Sequence, residues 1–489
     1  MEPQILAQQL GAWSKGKGPL QQKLAHALVE AIRQGTVNPG VRLPSERNLA
    51  RVLALSRTTV VAAYDALRER GWLESRPGSG TWVSERSPAL AAARGAAQAG
   101  VLAASPLLGL LAHQQEEDLI DFALGTPMPL RELPVELFAL PPDEYAVLVR
   151  DRMYYPMGMP ALRQALAGYY TKAGVPTRPE QILVTNGAQH AIALCASQYL
   201  QRGDAALVED PAYFGALDAF RAAGARIAAL PVEADGVRPA ILRDRITATA
   251  ARLVYLTPTF QNPTGAVMPR SARKEVGRIV MELGVPVIDD NTLADLVLEG
   301  EIPAPLAAHA PEAAVITTGS LSKLMWPGLR IGWVRAPEPV VERLARVKTA
   351  TDLGSPLLTQ AIAVRLLAAI EEARRLRRLQ LKPRRDLMAT LLSEHLPEWE
   401  FRVPAGGLFF WTKLPGGDAR EFAQTALRHG VMILPGPTMS AAEQNARFIR
   451  LPFLGEPETL RAGVRRLRTA WRDYQSAGRT ERKKTVAIV

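Results

Sequence analysis

Two sets of apolar residues at helical spacing stand close together near the start of the chain: Leu49, Ala50 and Leu53, then Val60, Ala63 and Leu67 with Tyr64 alongside. Ser45, after Pro44, and Ser56 sit where each set begins and can accept first-turn N–H groups. The chain turns through Ala54 and Leu55 between the two sets, and Gly71 closes the second. This predicts two short helices joined by a tight turn. Trp72–Glu74 and Thr81–Val83 then flank the turn Arg76–Gly80, which predicts a two-stranded hairpin.

From about residue 118 the period changes. Short apolar runs (QILVTNG, AALVED, RLVYLTP, VPVIDD and AAVITTG) recur between longer helical stretches. This predicts an α/β domain with a mostly parallel sheet, whose ligands lie beyond the carboxyl ends of the strands. Residues 395–475 read as a smaller α/β subdomain. The expected plan is a module over 1–83, an alanine-rich linker with helical tendency over 84–117, a large domain over 118–475 and a charged, then apolar, tail over 476–489.

Composition narrows the class. Hydrophobic residues make up 47% and charged residues 22% of the 489, which excludes a disordered or fibrous chain. The formal charge is +11, and residues 1–83 hold eleven Lys/Arg against six Asp/Glu, which favours a polyanionic partner for that module. The lone Cys195 lies in an apolar stretch and reads as core. The six histidines, His190 among them, lack metal-ligand spacing, so no metal is expected. With neither a signal-peptide pattern nor a long apolar span, a cytoplasmic setting away from membranes is expected.

Helix-turn-helix geometry presents Arg57, Thr58 and Thr59, the first turn of the second helix, to base edges in the major groove. Arginine can meet guanine bidentately, threonine serves phosphate or a thymine methyl, and Arg76 in the hairpin is placed for backbone or minor groove. The stretch resembles the GntR family of winged-helix bacterial repressors, in its L-P-S-E-R-x-L-A run at Leu43, Pro44, Ser45, Glu46, Arg47, Leu49 and Ala50, and in its S-R-x-T-V run at Ser56, Arg57, Thr59 and Val60. That resemblance implies binding to double-stranded operator DNA, with Ser45, Arg47, Ser56, Arg57, Thr58, Thr59 and Arg76 at the interface.

The large domain carries the parts of a pyridoxal 5'-phosphate (PLP) site. Such a site needs a lysine amine, an acid for the pyridine nitrogen, donors for the phosphate and a ring-stacking group. Lys323 follows the strand VITTG, with Ser320 and Ser322 before it and Arg330 seven residues after it. Desolvation and neighbouring positive charge are the means of keeping such an amine unprotonated. Asn186, Gly187, Ala188 and Gln189 open a helix after the strand ILVT and offer backbone N–H groups to an anion. Tyr213 can stack on a pyridine face, and Asn262 can reach the ring's phenolic oxygen O3′. Asp289 and Asp290 both end a strand, and alternation lets only one face the ring.

In order, these residues resemble the class I/II family of fold type I aminotransferases over about residues 118–475. The resemblance implies an internal aldimine at Lys323, with Asp290 for the pyridine nitrogen, Arg330 for the phosphate and Arg450 for a substrate carboxylate. It also implies that Tyr154, or less well Tyr155, reaches the phosphate of a neighbouring subunit. One departure stands out: Thr292 occupies the place of the family's second donor to O3′, a tyrosine.

Both halves together resemble the MocR subfamily of transcriptional regulators. That resemblance implies a homodimeric, PLP-dependent, DNA-binding regulator sensing an amino acid, an amine or PLP itself through an aldimine at Lys323, with possible residual transamination. The rival expectation is an aminotransferase of aromatic or 2-aminoadipate type with an accessory N-terminal module.

Overall fold

Ser45 and Ser56 start the helices that the apolar spacing predicts. In this computed structural model, α1 (Pro3–Leu10), α2 (Leu20–Arg33), α3 (Glu46–Val52) and α4 (Arg57–Glu69) build the N-terminal module. Ser45 Oγ accepts from the Asn48 N–H at 3.3 Å, and Ser56 Oγ from that of Thr59 at 3.1 Å. Leu49, Leu53, Val60, Ala63 and Leu67 pack with Leu24, Leu28 and Ile32 of α2 in a core of their own. The fully buried Tyr64 donates its hydroxyl to the Pro44 carbonyl at 3.0 Å, tying α4 to the entry of α3. The hairpin is β1 (Leu73–Arg76) against β2 (Gly80–Val83), antiparallel with Leu73 opposite Val83. The structure describes residues 1–11, 13–14, 18–33, 36–76, 78–84, 118–151, 154–311, 313–442 and 444–486, with backbone only at 33 and over 477–486. The expected linker therefore lies, save Ser84, outside the described residues.

The rest of the chain forms two sheets. Strands β3 (Ile120–Phe122), β4 (Ile182–Thr185), β5 (Ala205–Asp210), β6 (Arg226–Pro231), β7 (Leu253–Leu256), β8 (Val287–Asp290), β9 (Val315–Ser320) and β10 (Gly332–Arg335) come first. They are followed by β11 (Glu400–Phe401), β12 (Phe409–Lys413), β13 (Val431–Pro435) and β14 (Phe448–Pro452). The larger sheet runs β4-β10-β9-β8-β7-β5-β6. It is parallel from β9 through β6, while β10 is antiparallel to both neighbours, so the sheet is mixed and mostly parallel.

Alternate strand residues enter opposite layers, as a sheet buried on both faces requires. Val184, Val254, Val287 and Val315 join one core cluster, and Leu183, Tyr255, Ile288 and Ile316 the other. The smaller sheet runs β11-β12-β14-β13-β3. Its strand β3 comes from the beginning of the large domain and pairs parallel with β13, an addition to the segment read from residue 395 onward. The helix Pro457–Val486 carries the chain through most of the tail.

Cys195 is buried, and burial pushes its thiol up to about 12. Among the described residues no helix is long and apolar enough to cross a membrane, and no cluster of three metal-ligating side chains occurs.

Because the N-terminal core is separate, Leu67→Ala should destabilise that module alone, by roughly 2–5 kcal/mol. Calorimetry is expected to show one transition lowered while that of the large domain keeps its midpoint.

Candidate cofactor pocket and DNA-reading surface

The carboxyl ends of β7, β8 and β9 converge on a cavity of about 260 Å³. Lys323, Asp290, Tyr213, Asn262, Ser322, Arg330 and Arg450 all line it. The Lys323 amine donates to the Gly125 carbonyl at 2.6 Å. Burial, then the positive charges of Arg450 and Arg330, lower its pKa to about 8, against the opposing pull of Asp290. The unprotonated amine, the state a nucleophile needs, is thus more accessible near neutral pH than in an exposed lysine.

Strand parity decides between the two aspartates. Asp289 shares the face of Val287 and accepts from the Leu306 N–H at 3.0 Å, away from the cavity. Asp290 shares the face of Ile288 and lines the cavity. Its Oδ1 accepts from the Thr292 N–H at 3.0 Å and the Thr292 hydroxyl at 2.5 Å, and its Oδ2 from the Tyr255 hydroxyl at 2.6 Å. Thr292 therefore orients Asp290 where the usual tyrosine would reach the ring's O3′. Tyr255, unremarked in the sequence, completes the same clamp.

The end of the cavity beside Gly187 is built on close backbone approach. Gly187 has φ 87, and a Cβ there would lie 2.7 Å from an Arg330 nitrogen. Gly332 packs against the same loop, where a Cβ would lie 2.5 Å from the Gly187 carbonyl carbon. Arg330 itself is left-handed at φ 50, a strained backbone that aims Nη2 at the Asn186 carbonyl, 3.0 Å away. The helix Ala188–Tyr199 starts here, so the N–H groups of Ala188 and Gln189 have no intrahelical acceptor. The Asn186 side chain turns away to Asp352 at 2.9 Å, so its carbonyl is what faces Arg330. Ser320 Oγ is spent internally, accepting from the Ser322 N–H at 3.1 Å and donating to the Ile331 carbonyl at 2.9 Å.

At the other end, Arg450 is buried over the Phe409 ring with 4.1 Å to its centroid. Its Nη1 donates to Asn262 Oδ1 at 3.1 Å and its Nη2 to the Ala123 carbonyl, which leaves Nε without a partner. Burial lowers its pKa to about 9. A larger cavity of about 560 Å³ is lined by Tyr169, Asp295 and Arg374, but its charges neutralise one another, with Arg374 Nε 2.8 Å from Asp295.

On the N-terminal module, Arg47, Ser56, Arg57 and Thr58 are exposed. Ser45 is a helix cap, and the Ser56 hydroxyl bonds those of Thr58 and Thr59 at 2.7 and 2.8 Å, so these groups first of all shape the turn. Arg76 lies over the Trp82 ring and pairs with Glu74 at 2.6 Å. A contact invisible in the sequence joins the module to the smaller sheet's layer: Arg428 Nη1 donates to the Leu53 carbonyl at 2.8 Å and Nη2 reaches that of Ala54 at 3.4 Å.

Comparison with known proteins agrees with this anatomy. Residues 150–467 match the aminotransferase class I and II family, and residues 20–83 the bacterial regulatory proteins of the gntR family. The HTH-type transcriptional regulator YisV of Bacillus subtilis is 32% identical, with 91% of this chain and 95% of that protein aligned. The probable rhizopine catabolism regulatory protein MocR of Rhizobium meliloti is 29% identical over 94% of this chain and 95% of its own length. The solved structure of LysN, the alpha-aminoadipate aminotransferase of Thermus thermophilus complexed with N-(5'-phosphopyridoxyl)-L-leucine, has a TM-score of 0.68 at 30% identity, covering 76% of this chain and 95% of that one.

Pocket and module thus define a class: a PLP-dependent aminotransferase-like domain fused to a winged helix-turn-helix. The chain belongs to the MocR subfamily of GntR-family transcriptional regulators, and its cofactor is PLP. The pocket fits that group on its own terms, with an amine depressed toward neutrality, a clamped carboxylate, a glycine cradle beside Arg330 and an unpartnered Arg450 Nε.

Competitive acetylation of the cofactor-free protein should give Lys323 half-maximal reactivity near pH 8, with reactivity rising as the pH increases. Surface lysines should titrate about two units higher. Arg450→Gln removes a cation beside the amine and is expected to move that midpoint upward.

Proposed function

We propose that this regulator senses an amino acid or a small amine at Lys323 and passes the change to its DNA-reading helix through Arg428. PLP, when bound, supplies an aldehyde carbon that can exchange one amine for another on an electron-withdrawing ring. The Lys323 amine would be the protein's partner for that carbon, and Asp290 would hold the ring-nitrogen proton. Tyr213 would stack on the ring and the Asn262 amide, oriented by Arg450 on Asn262 Oδ1, would serve its O3′. Gly187, Ala188, Gln189, Ser322 and Arg330 would hold the phosphate. The free Nε of Arg450 awaits an effector carboxylate.

The observation that carries the reading is the physical path from that arginine to the DNA module. Arg450 lies on β14 opposite Leu434 of β13. β13 follows the helix Ala419–Arg428 by a two-residue turn, and Arg428 ends that helix. Its guanidinium sits on the carbonyls at the end of α3, a helix terminus that favours a cation. Ser56 and the exposed Arg57 and Thr58 follow directly. A shift of the smaller sheet as Arg450 takes a carboxylate therefore acts on the turn that sets the recognition helix.

A second copy completes the particle. Val135, Val147, Val149 and Tyr154 are 64–73% exposed, apolar side chains suited to burial in a homodimer that delivers two modules to two half-sites. Tyr155 is tied to Asp151 at 2.9 Å, so Tyr154 is the free hydroxyl for a neighbouring phosphate. Operator DNA in the cytoplasm is the partner this arrangement suits. The aminotransferase reading keeps support from the nearly complete site and from relatives such as the 33% identical 2-aminoadipate transaminase of Thermus thermophilus.

Operator binding to the region upstream of the protein's own gene separates the two readings. A coupling of roughly 5- to 150-fold between amine and DNA affinity is expected in the native protein. In Arg428→Ala it should fall below about twofold while the cofactor absorbance persists. Fast turnover of amino-acid and keto-acid pairs with no salt-dependent DNA complex would reverse the assignment.

A further inference from the structure

We propose that an arginine stripe on the helix Pro457–Val486 is a second DNA surface, gripping the phosphate backbone of the duplex whose bases the N-terminal module reads. The proposal rests on that module binding DNA. The helix buries Leu460, Val464, Leu467, Ala470 and Trp471 against its subdomain. Arg465, Arg468 and Arg472, spaced three and four apart, share the opposite, exposed face. Over its length the helix carries nine Lys/Arg against three Asp/Glu.

The stripe lacks neutralising partners. Some exposed helical arginines elsewhere are paired within a turn, Arg278 with Glu275 and Arg375 with Glu372, whereas the stripe sets three unpaired ones on a single face. The side chains of Arg465, Arg468 and Arg472 make no ion pair or hydrogen bond among the described residues, and the adjacent Asp473 carboxylate lies 2.9 Å from His429 Nε2. Like charges stacked along one helix face repel one another, and a polyanion relieves that repulsion.

The stripe also begins next to the DNA module. Arg465 and Arg466 line one concavity with His429, and the preceding residue, Arg428, holds the Leu53 and Ala54 carbonyls. Two residues on, Ser56 opens the reading turn. From Arg465 to Arg472 the stripe runs about 10 Å, and a duplex offers one charge about every 1.7 Å of its axis, so each guanidinium has a phosphate within reach.

The test is the salt dependence of DNA binding by the full-length, PLP-loaded protein between about 50 and 200 mM salt, on a random-sequence duplex and on the duplex from upstream of its own gene. R465Q/R468Q/R472Q should lower the slope of log affinity against log salt by about 2.7, at roughly 0.9 per lost phosphate contact, and weaken both duplexes by about tenfold or more. Cofactor absorbance should be unchanged, and R465K/R468K/R472K should restore the slope. A triple variant with wild-type slope and affinity on both duplexes overturns the stripe alone. A wild-type protein that binds neither duplex overturns the DNA-binding reading and the stripe with it.

Discussion

An amine held near neutrality inside a cationic pocket is the constraint on which the rest of the large domain depends. Burial is the main cause of the lowered Lys323 pKa, the charges of Arg450 and Arg330 add to it, and the Asp290 carboxylate opposes them. Each supporting feature answers a cost of that arrangement. Arg330 adopts a left-handed backbone to reach the Asn186 carbonyl, and Gly187 and Gly332 remove the side chains that would block it. Tyr255 and Thr292 hold the one carboxylate that balances the charge.

The same cations make the pocket legible to the rest of the molecule. Arg450 bonds Asn262 in the large domain and the Ala123 carbonyl beside β3, so it joins the two sheets at the point where an effector would enter. Asp210 adds a second tie, accepting from Ser440 and Asn445 at 3.0 and 3.2 Å. Leu408, Phe410 and Ile449 of the subdomain also join the apolar core of the large domain, and Arg428 ties the turn between α3 and α4 to that subdomain. In the function proposed above, regulation and cofactor binding draw on a single set of buried charges.

Much of this could be read from residue order. The helices of the N-terminal module follow from two serines and the spacing of six apolar residues, because caps and amphipathic faces are local. The strands of the larger sheet follow from short apolar runs, and the site residues from the loops that end them. What stayed hidden is long-range. Asp289 and Asp290 look equivalent until the faces of Val287 and Ile288 are known. Tyr255 lies 35 residues from the aspartate it clamps, and Arg428 lies 375 residues from the carbonyl it holds. The three-residue strand β3 has no periodicity to reveal that it joins a sheet made by the far end of the chain. Thr292 was legible as a departure from the family pattern, but its work as a clamp on Asp290 was not.

The most direct measurement is to reduce the PLP-loaded protein with borohydride, map the modified peptide and then titrate operator DNA with and without amines. The account predicts a reduced adduct on the peptide carrying Lys323 and a DNA affinity that no longer responds to any amine. An adduct confined to other lysines, or an amine response that survives complete reduction at Lys323, would contradict it.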